Sequence, residues 1–154
     1  MEIEIITKPS FCLMGKEGST TMGEGFISRL WEEANSHFSE VSGLAKKLPD
    51  GSFAGCWGAM TDVNMLFQPW EDHFSKGLYL AGIECEEDAI PPLGWTKWRI
   101  PSFEMIKIPC DMNDSFTGGL TYLKDNGYTL AGAVQDFTDL NTGKNYMCFP
   151  IKRL

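Results

Sequence analysis

The chain has 154 residues and a formal net charge of −8, and its apolar and charged fractions are those of an ordinary globular domain. The negative charge argues against a nucleic-acid surface, which needs clustered Lys and Arg to displace counterions from phosphates. No run approaches the roughly 18 consecutive apolar residues of a membrane span, and no basic segment precedes an apolar one as in a signal peptide. We therefore expect a cytoplasmic protein that contacts neither nucleic acid nor a membrane directly.

The cysteine pattern limits which metal-binding and redox motifs the chain can contain. The five cysteines are Cys12, Cys56, Cys85, Cys110 and Cys148. Their odd number, their wide spacing and the absence of a Cys-x-x-Cys pair exclude zinc-ribbon and thioredoxin-like motifs. We interpret them as reduced, buried small hydrophobes, with one reactive thiol as the alternative. No dense His or carboxylate spacing indicates a metal, and no cofactor is expected.

The first part of the chain predicts two strands, a helix and two further strands. Ile3–Lys16 is strand-like and broken at Pro9. Thr21 and Glu24 fit a capping box before a helix whose apolar face is formed by Phe26, Ile27, Leu30, Trp31, Ala34 and Phe38. The helix continues or re-forms through 41–47 and stops by Pro49. The strands Phe53–Met60 and Leu78–Cys85 follow.

The second part predicts the same order of elements. Trp95–Cys110 is strand-like with a break at Pro101, and Asn113 or Asp114 caps a second helix. Its apolar face is formed by Phe116, Leu120 and Leu123, and Asn126-Gly127 ends it. Tyr128–Val134 and Asn145–Lys152 are the last predicted strands.

An internal repeat connects the two parts. Pro9-Ser10-Phe11 recurs as Pro101-Ser102-Phe103, each within a strand-like segment that leads into a helix. We predict a single α+β domain over 1–154 with two pseudo-symmetric strand–helix–strand–strand repeats, about 1–88 and 95–154. They form an antiparallel sheet with helices on one face, and a central groove lies where the repeats join.

This doubled unit resembles the GyrI-like small-molecule-binding domain, the effector-binding domain of AraC-type and MerR-type multidrug regulators, which also occurs free-standing. The motifs that carry the resemblance are Gly77–Glu84, Pro92–Trp95 leading to Arg99-Ile100-Pro101, and Tyr146–Ile151. The resemblance covers nearly the whole chain and implies an aromatic groove with a carboxylate that pairs with lipophilic cations. Lys144 stands where many members carry a Glu, so either Glu84 takes that role or the ligand differs.

Glu84 is the candidate for that carboxylate. It shares a strand face with Leu80 and Gly82, and a buried carboxylate requires a partner; the alternative is a strand-end Glu in solvent. For the groove walls we predict four tryptophans and one tyrosine. These are Trp57, Trp95, Trp98, Trp70 as a lid or loop anchor, and Tyr146. Trp31 is assigned to ordinary core packing on its helical periodicity.

These residues predict reversible binding of a lipophilic, cationic or aromatic small molecule, linked to transcription regulation or drug resistance. One alternative is a hydrolase of reactive small molecules, in which Glu84 orients water and Tyr146 donates a hydrogen bond. Another is a protein-interaction module of the gyrase-inhibitory kind. Closure of the groove by a homodimer is left open.

Overall fold

The computed structural model describes residues 3–110 and 115–154. The strands are β1 Glu4–Lys8, β2 Phe11–Ser19, β3 Cys56–Thr61, β4 Leu78–Cys85, β5 Thr96–Ile100, β6 Phe103–Pro109, β7 Gln135–Thr138 and β8 Asn145–Arg153. The α-helices are α1 Phe26–Ser36, the single turn α2 Glu71–Phe74, and α3 Ser115–Asp125, and two 3₁₀ turns cover Thr20–Met22 and Phe38–Glu40. The α+β class predicted from the sequence is confirmed.

The eight strands form one curled antiparallel sheet in the order β1-β6-β8-β7-β3-β4-β2-β5. The first strand of each repeat pairs with the other repeat, β1 with β6 and β5 with β2. The breaks predicted at Pro9 and Pro101 are where the chain crosses over, because proline cannot donate to a strand ladder. The backbone N–H of Ser10 donates to Ser102 Oγ at 2.8 Å at this crossing.

The two faces of the sheet differ in what covers them. Asp136 pairs with Gly58 and Gly58 with Ala81 across three strands, so these residues point to one side. The helix α1 packs on Ala81 there, and α3 packs on Met147, the partner of Asp136 in β8. We call this side the helix face. The other side, with the row Phe137, Trp57 and Gly82, is the opposite face.

The start and end of α1 differ from the predictions. Ser19, rather than Thr21, accepts a backbone hydrogen bond, and it caps the 3₁₀ turn that precedes α1. The N-cap of α1 is Gly25, with φ of 80° and no side-chain hydrogen bond; glycine adopts this conformation without strain. After Ser36 the chain makes a 3₁₀ turn, and no helix forms over 41–47, where Ala45 instead bridges to Cys85.

The strand predicted at Tyr128–Val134 is wrong. This stretch is irregular because its N–H groups bond different partners, Ala131 to the Pro150 carbonyl and Ala133 to the Phe67 carbonyl. The strand β7 begins only at Gln135. The predicted caps Asn113 and Asp114 lie outside the described residues.

Three of the five cysteines are buried as predicted, whereas Cys56 is half-buried and Cys110 is exposed. In the described ranges, no helix combines the length and the hydropathy needed to cross a membrane.

Candidate functional site

The helix face carries a groove between α1 and α3, which consists of three neighbouring cavities. The central cavity, of about 210 Å³, lies over the junction of the two repeats, where β3 pairs with β7. A larger cavity of about 360 Å³ lies beside α1 and a third of about 200 Å³ lies beside α3. We call these two the α1 cavity and the α3 cavity.

The central cavity holds a short chain of polar contacts. Trp31 on α1 donates its Nε1–H to Tyr79 Oη at 3.0 Å, and the Tyr79 hydroxyl lies 3.5 Å from Asp136 Oδ2, which is long for a hydrogen bond. Gly58 makes room for this arrangement, because a Cβ there would overlap the Tyr79 hydroxyl and lie 3.1 Å from Asp136 Oδ2. The three side chains come from both repeats, so the site exists only when the repeats pack together.

Asp136 has an electrostatic environment suited to a cationic partner. Burial raises the pKa of Asp136 to about 6, although the Tyr79 hydroxyl acts to lower it. Among the described residues, no Lys, Arg or His lies within ion-pair distance of this carboxylate. At neutral pH it therefore carries an unneutralised charge at the edge of an apolar groove.

The cavities at either end are apolar. Trp95 lines the α1 cavity together with Phe38 and Phe53, and its Nε1–H donates to Glu40 Oε1 at 2.8 Å. Trp70 and Phe74 line the α3 cavity. The indole N–H of Trp70 donates to the Leu78 carbonyl at 2.9 Å, so the only polar group of this side chain already has a partner.

Glu84 is buried, as the sequence suggested, but on the opposite face. It pairs in register with Leu13 in β2, and its Oε1 accepts from Lys8 Nζ at 2.9 Å. Only 4 % of Glu84 is exposed. The lysine therefore already supplies the partner that this buried carboxylate requires.

Two of the predicted wall residues also lie on the opposite face. Trp57 packs between Phe11 and Phe137, with ring centroids 5.0 Å and 4.7 Å away. Trp98 donates its Nε1–H to Glu17 Oε1 at 2.7 Å and is buried in the same cluster. Neither is among the residues lining the three cavities described above.

Tyr146 has an intermediate position. It borders the central cavity, yet its ring stacks on Phe137 at 6.2 Å and faces Lys107 Nζ at 4.2 Å. The structure thus brings Trp70, Trp95 and Tyr146 to the groove, and it places Glu84, Trp57 and Trp98 elsewhere.

Sequence reasoning missed Asp136 and Trp31. The misplaced strand at Tyr128–Val134 left Asp136 in a presumed loop, and helical periodicity alone put Trp31 in the core. One signal was available: the small residues of β3 predict a close approach to its backbone, and Gly58 is where that approach occurs.

Comparison with known proteins finds solved structures with a similar fold. No family model and no curated protein matches the chain. The structure of SAV2435 bound to tetraphenylphosphonium superposes with a TM-score of 0.66 at 13% identity, covering 99% of this chain and 94% of that one. The crystal structure of the EcmrR C-terminal domain gives a TM-score of 0.67 at 11% identity, with 99% and 98% covered. EcmrR in a DNA complex gives 0.65 at 10% identity, with 99% of this chain and 58% of that chain covered.

These likenesses run over the whole length of the chain. They confirm the GyrI-like fold that the sequence resemblance predicted. At such low identities they concern the fold, and the role of each side chain has to be argued from this chain alone.

Proposed function

We propose that this protein reversibly binds a lipophilic organic cation in the groove on the helix face, with Asp136 as its charge partner. The observation that carries the proposal is a partly buried carboxylate at the edge of an apolar groove, beside which residues 3–110 and 115–154 place no cation within ion-pair distance. A permanent organic cation with aryl groups matches both features, because its charge neutralises Asp136 while its apolar surface leaves water.

The aromatic side chains of the central cavity support the same class of ligand. Trp31 and Tyr79 present ring systems beside the carboxylate, and aromatic faces attract cations. SAV2435, which shares the fold, was solved with tetraphenylphosphonium. Because EcmrR, which also shares it, forms a complex with DNA, we propose that binding here is likewise linked to transcription regulation.

The test is a calorimetric titration with tetraphenylphosphonium at pH 7.5. We expect Asp136→Asn, which keeps the side-chain shape and removes the charge, to weaken binding by roughly ten- to hundredfold. Glu84→Gln is the matched control, because it removes a buried charge on the opposite face of the same sheet.

Two results would contradict the proposal. If Asp136→Asn bound the cation as the wild type does, the carboxylate would not be its partner. If only Glu84→Gln lost binding, Glu84 would be the charge partner of the cation, as predicted from the sequence, and Asp136 would not.

Mass spectrometry of each mixture separates binding from conversion. Recovery of intact ligand is expected for a binding module. A converted ligand would instead support the hydrolase alternative. Asp136 rather than Glu84 would then be the carboxylate that orients water, because Glu84 is already paired with Lys8.

A further inference from the structure

The three cavities lie in a line along the junction of β3 and β7. On β3, the helix-face residues Met60, Gly58 and Cys56 border the α3 cavity, the central cavity and the α1 cavity in turn. Across the junction, Val134 borders the α3 cavity and Asp136 the central one. Because side chains on one face of a strand repeat every two residues, each step along the groove is about 7 Å.

The negative charge lies in the middle of this line. The side chains at the α3 end are all apolar or have their polar atom bonded within the protein, as for Trp70. At the α1 end the lining includes the exposed Asn35, the half-buried Cys56 and two indole N–H groups, of Trp31 and Trp95, that are bonded within the protein. Burial raises the pKa of the Cys56 thiol to about 11. A thiol with that pKa is neutral at physiological pH, so in the described part of the chain no charged side chain lines either end cavity. The Glu40 carboxylate bonds the Trp95 indole from outside the lining of the α1 cavity.

The ends also differ in size. The α1 cavity has about 360 Å³ and the α3 cavity about 200 Å³. Trp31 borders both the α1 cavity and the central cavity, and Met60 of the α3 cavity pairs in register with Tyr79 of the central one. The central cavity therefore adjoins the α1 cavity at Trp31 and the α3 cavity at the Met60–Tyr79 pair.

We infer that the ligand is an elongated cation with its charge near the middle and an apolar arm on each side, the larger arm lying beside α1. This inference rests on the proposed function and adds to it the position of the charge within the ligand. A cation with a terminal charge has to leave one end cavity unfilled when its charge is at Asp136.

Two isomeric quaternary ammonium ions test this. Dimethyl-bis(phenethyl)ammonium has its charge between two phenyl arms, and para-phenethylbenzyl-trimethylammonium has the same atoms with the charge at one end. We expect the wild-type protein to bind the first isomer roughly tenfold or more tightly than the second, because the first buries a ring on each side of Asp136.

Variants at each end refine the test. Ala34→Leu narrows the α1 cavity and Met60→Trp narrows the α3 cavity, so each is expected to bring the ratio of the two affinities towards one. Leu93→Trp, at a fully exposed position outside the groove, is the control and should leave the ratio unchanged.

The outcomes separate this inference from the proposed function. Equal affinities for the two isomers, together with Asp136-dependent binding of tetraphenylphosphonium, would overturn the elongated ligand alone. Binding of tetraphenylphosphonium that does not depend on Asp136 would overturn both. The isomer comparison uses wild-type protein, so it decides the matter even if a narrowed variant fails to fold.

Discussion

Glu84 and Asp136 are two carboxylates on the central strands of one sheet, and they lie on its two different faces. Glu84 on β4 is 4 % exposed and bonds Lys8 Nζ at 2.9 Å. Asp136 on β7 is partly buried, and its Oδ2 lies 3.5 Å from the Tyr79 hydroxyl. The first carboxylate has its counter-charge within the fold, whereas the second has none among the described residues.

The aromatic rings of the two faces differ in the same way. On the opposite face, Lys8 Nζ lies 4.5 Å from the Phe11 ring and Lys107 Nζ lies 4.2 Å from the Tyr146 ring. In the central cavity, Trp31 donates to Tyr79 beside the Asp136 carboxylate, and the described residues supply no cation to these rings or to the carboxylate. Burial of a carboxylate among aromatic residues is therefore a weak sign of a cation site, and the informative observation is whether the protein supplies the cation itself.

The largest effect is expected from removing the internal cation of the opposite face. Lys8→Met should lower the free energy of unfolding by about 3 kcal/mol, because it leaves Glu84 buried and unpaired. Urea denaturation at pH 7.5 measures this change.

The double variant Lys8→Met/Glu84→Gln is the control, and it should be more stable than Lys8→Met alone, since it removes the orphaned charge as well. If the losses of unfolding free energy from Lys8→Met and Glu84→Gln were additive in the double variant, the two side chains would not interact. Glu84 would then have no internal counter-charge, and it would not differ from Asp136 in this respect.

A smaller loss is expected from Gly58→Ala on the helix face. The added Cβ would lie 2.7 Å from Tyr79 Cζ, so the ring has to move and stability should fall by about 2 kcal/mol. Binding of tetraphenylphosphonium should weaken with it, because the displaced hydroxyl no longer lies between Trp31 and Asp136.

In the Tyr79→Phe background, which lacks the obstructing oxygen, Gly58→Ala should cost less stability than in the wild type. An equal cost in both backgrounds would place the strain elsewhere. Thermal denaturation of the four proteins compares them directly.

The fold was predictable where the pattern was local. The run Leu78–Cys85 matches β4 residue for residue, because its short length and the glycine before it favour a buried strand over a helix. The breaks at Pro9 and Pro101 were equally clear. The exchange of β1 and β5 between the repeats depends on long-range pairing, and no local signal encodes it.

The site was less predictable for the same reason. Which side of the sheet a strand residue faces follows from the register, and the error at β7 hid Asp136. For Glu84 the sequence left a buried carboxylate and a strand-end Glu in solvent as alternatives, and its partner Lys8 is 76 residues away. Distance in sequence conceals the counter-charge that distinguishes an internal ion pair from an open site.

Asp136 should make the protein less stable at neutral pH, in contrast to a paired carboxylate. Its folded pKa of about 6 lies above the ordinary 3.8, so the folded state binds the proton more tightly than the unfolded state. The stability from this group is therefore present at low pH and lost as the pH rises through 6. The full pKa shift corresponds to about 3 kcal/mol. Because Asp136 is partly exposed and solvent screens its charge, Asp136→Asn should be about 2 kcal/mol more stable than the wild type at pH 7.5.

The stability difference should shrink as the pH falls from 6 to 4 and disappear below about pH 3, where Asp136 is protonated in both the folded and the unfolded state. Urea denaturation of the two proteins at several pH values measures it. A variant that is less stable than the wild type at pH 7.5 would mean that Asp136 has a stabilising partner after all.

The smallest effect concerns the ligand itself. A cation binds the ionised form of Asp136, so protons compete with it, and with a pKa of about 6 the affinity for tetraphenylphosphonium should fall roughly tenfold between pH 7.5 and pH 5. In the described part of the central cavity, no other carboxylate and no imidazole is among the lining side chains. The residual binding of Asp136→Asn should therefore not vary over this range. If the variant kept the wild-type pH profile, the titrating group would lie outside the cavity, and the carboxylate of the helix face would be as irrelevant to the cation as Glu84 is expected to be.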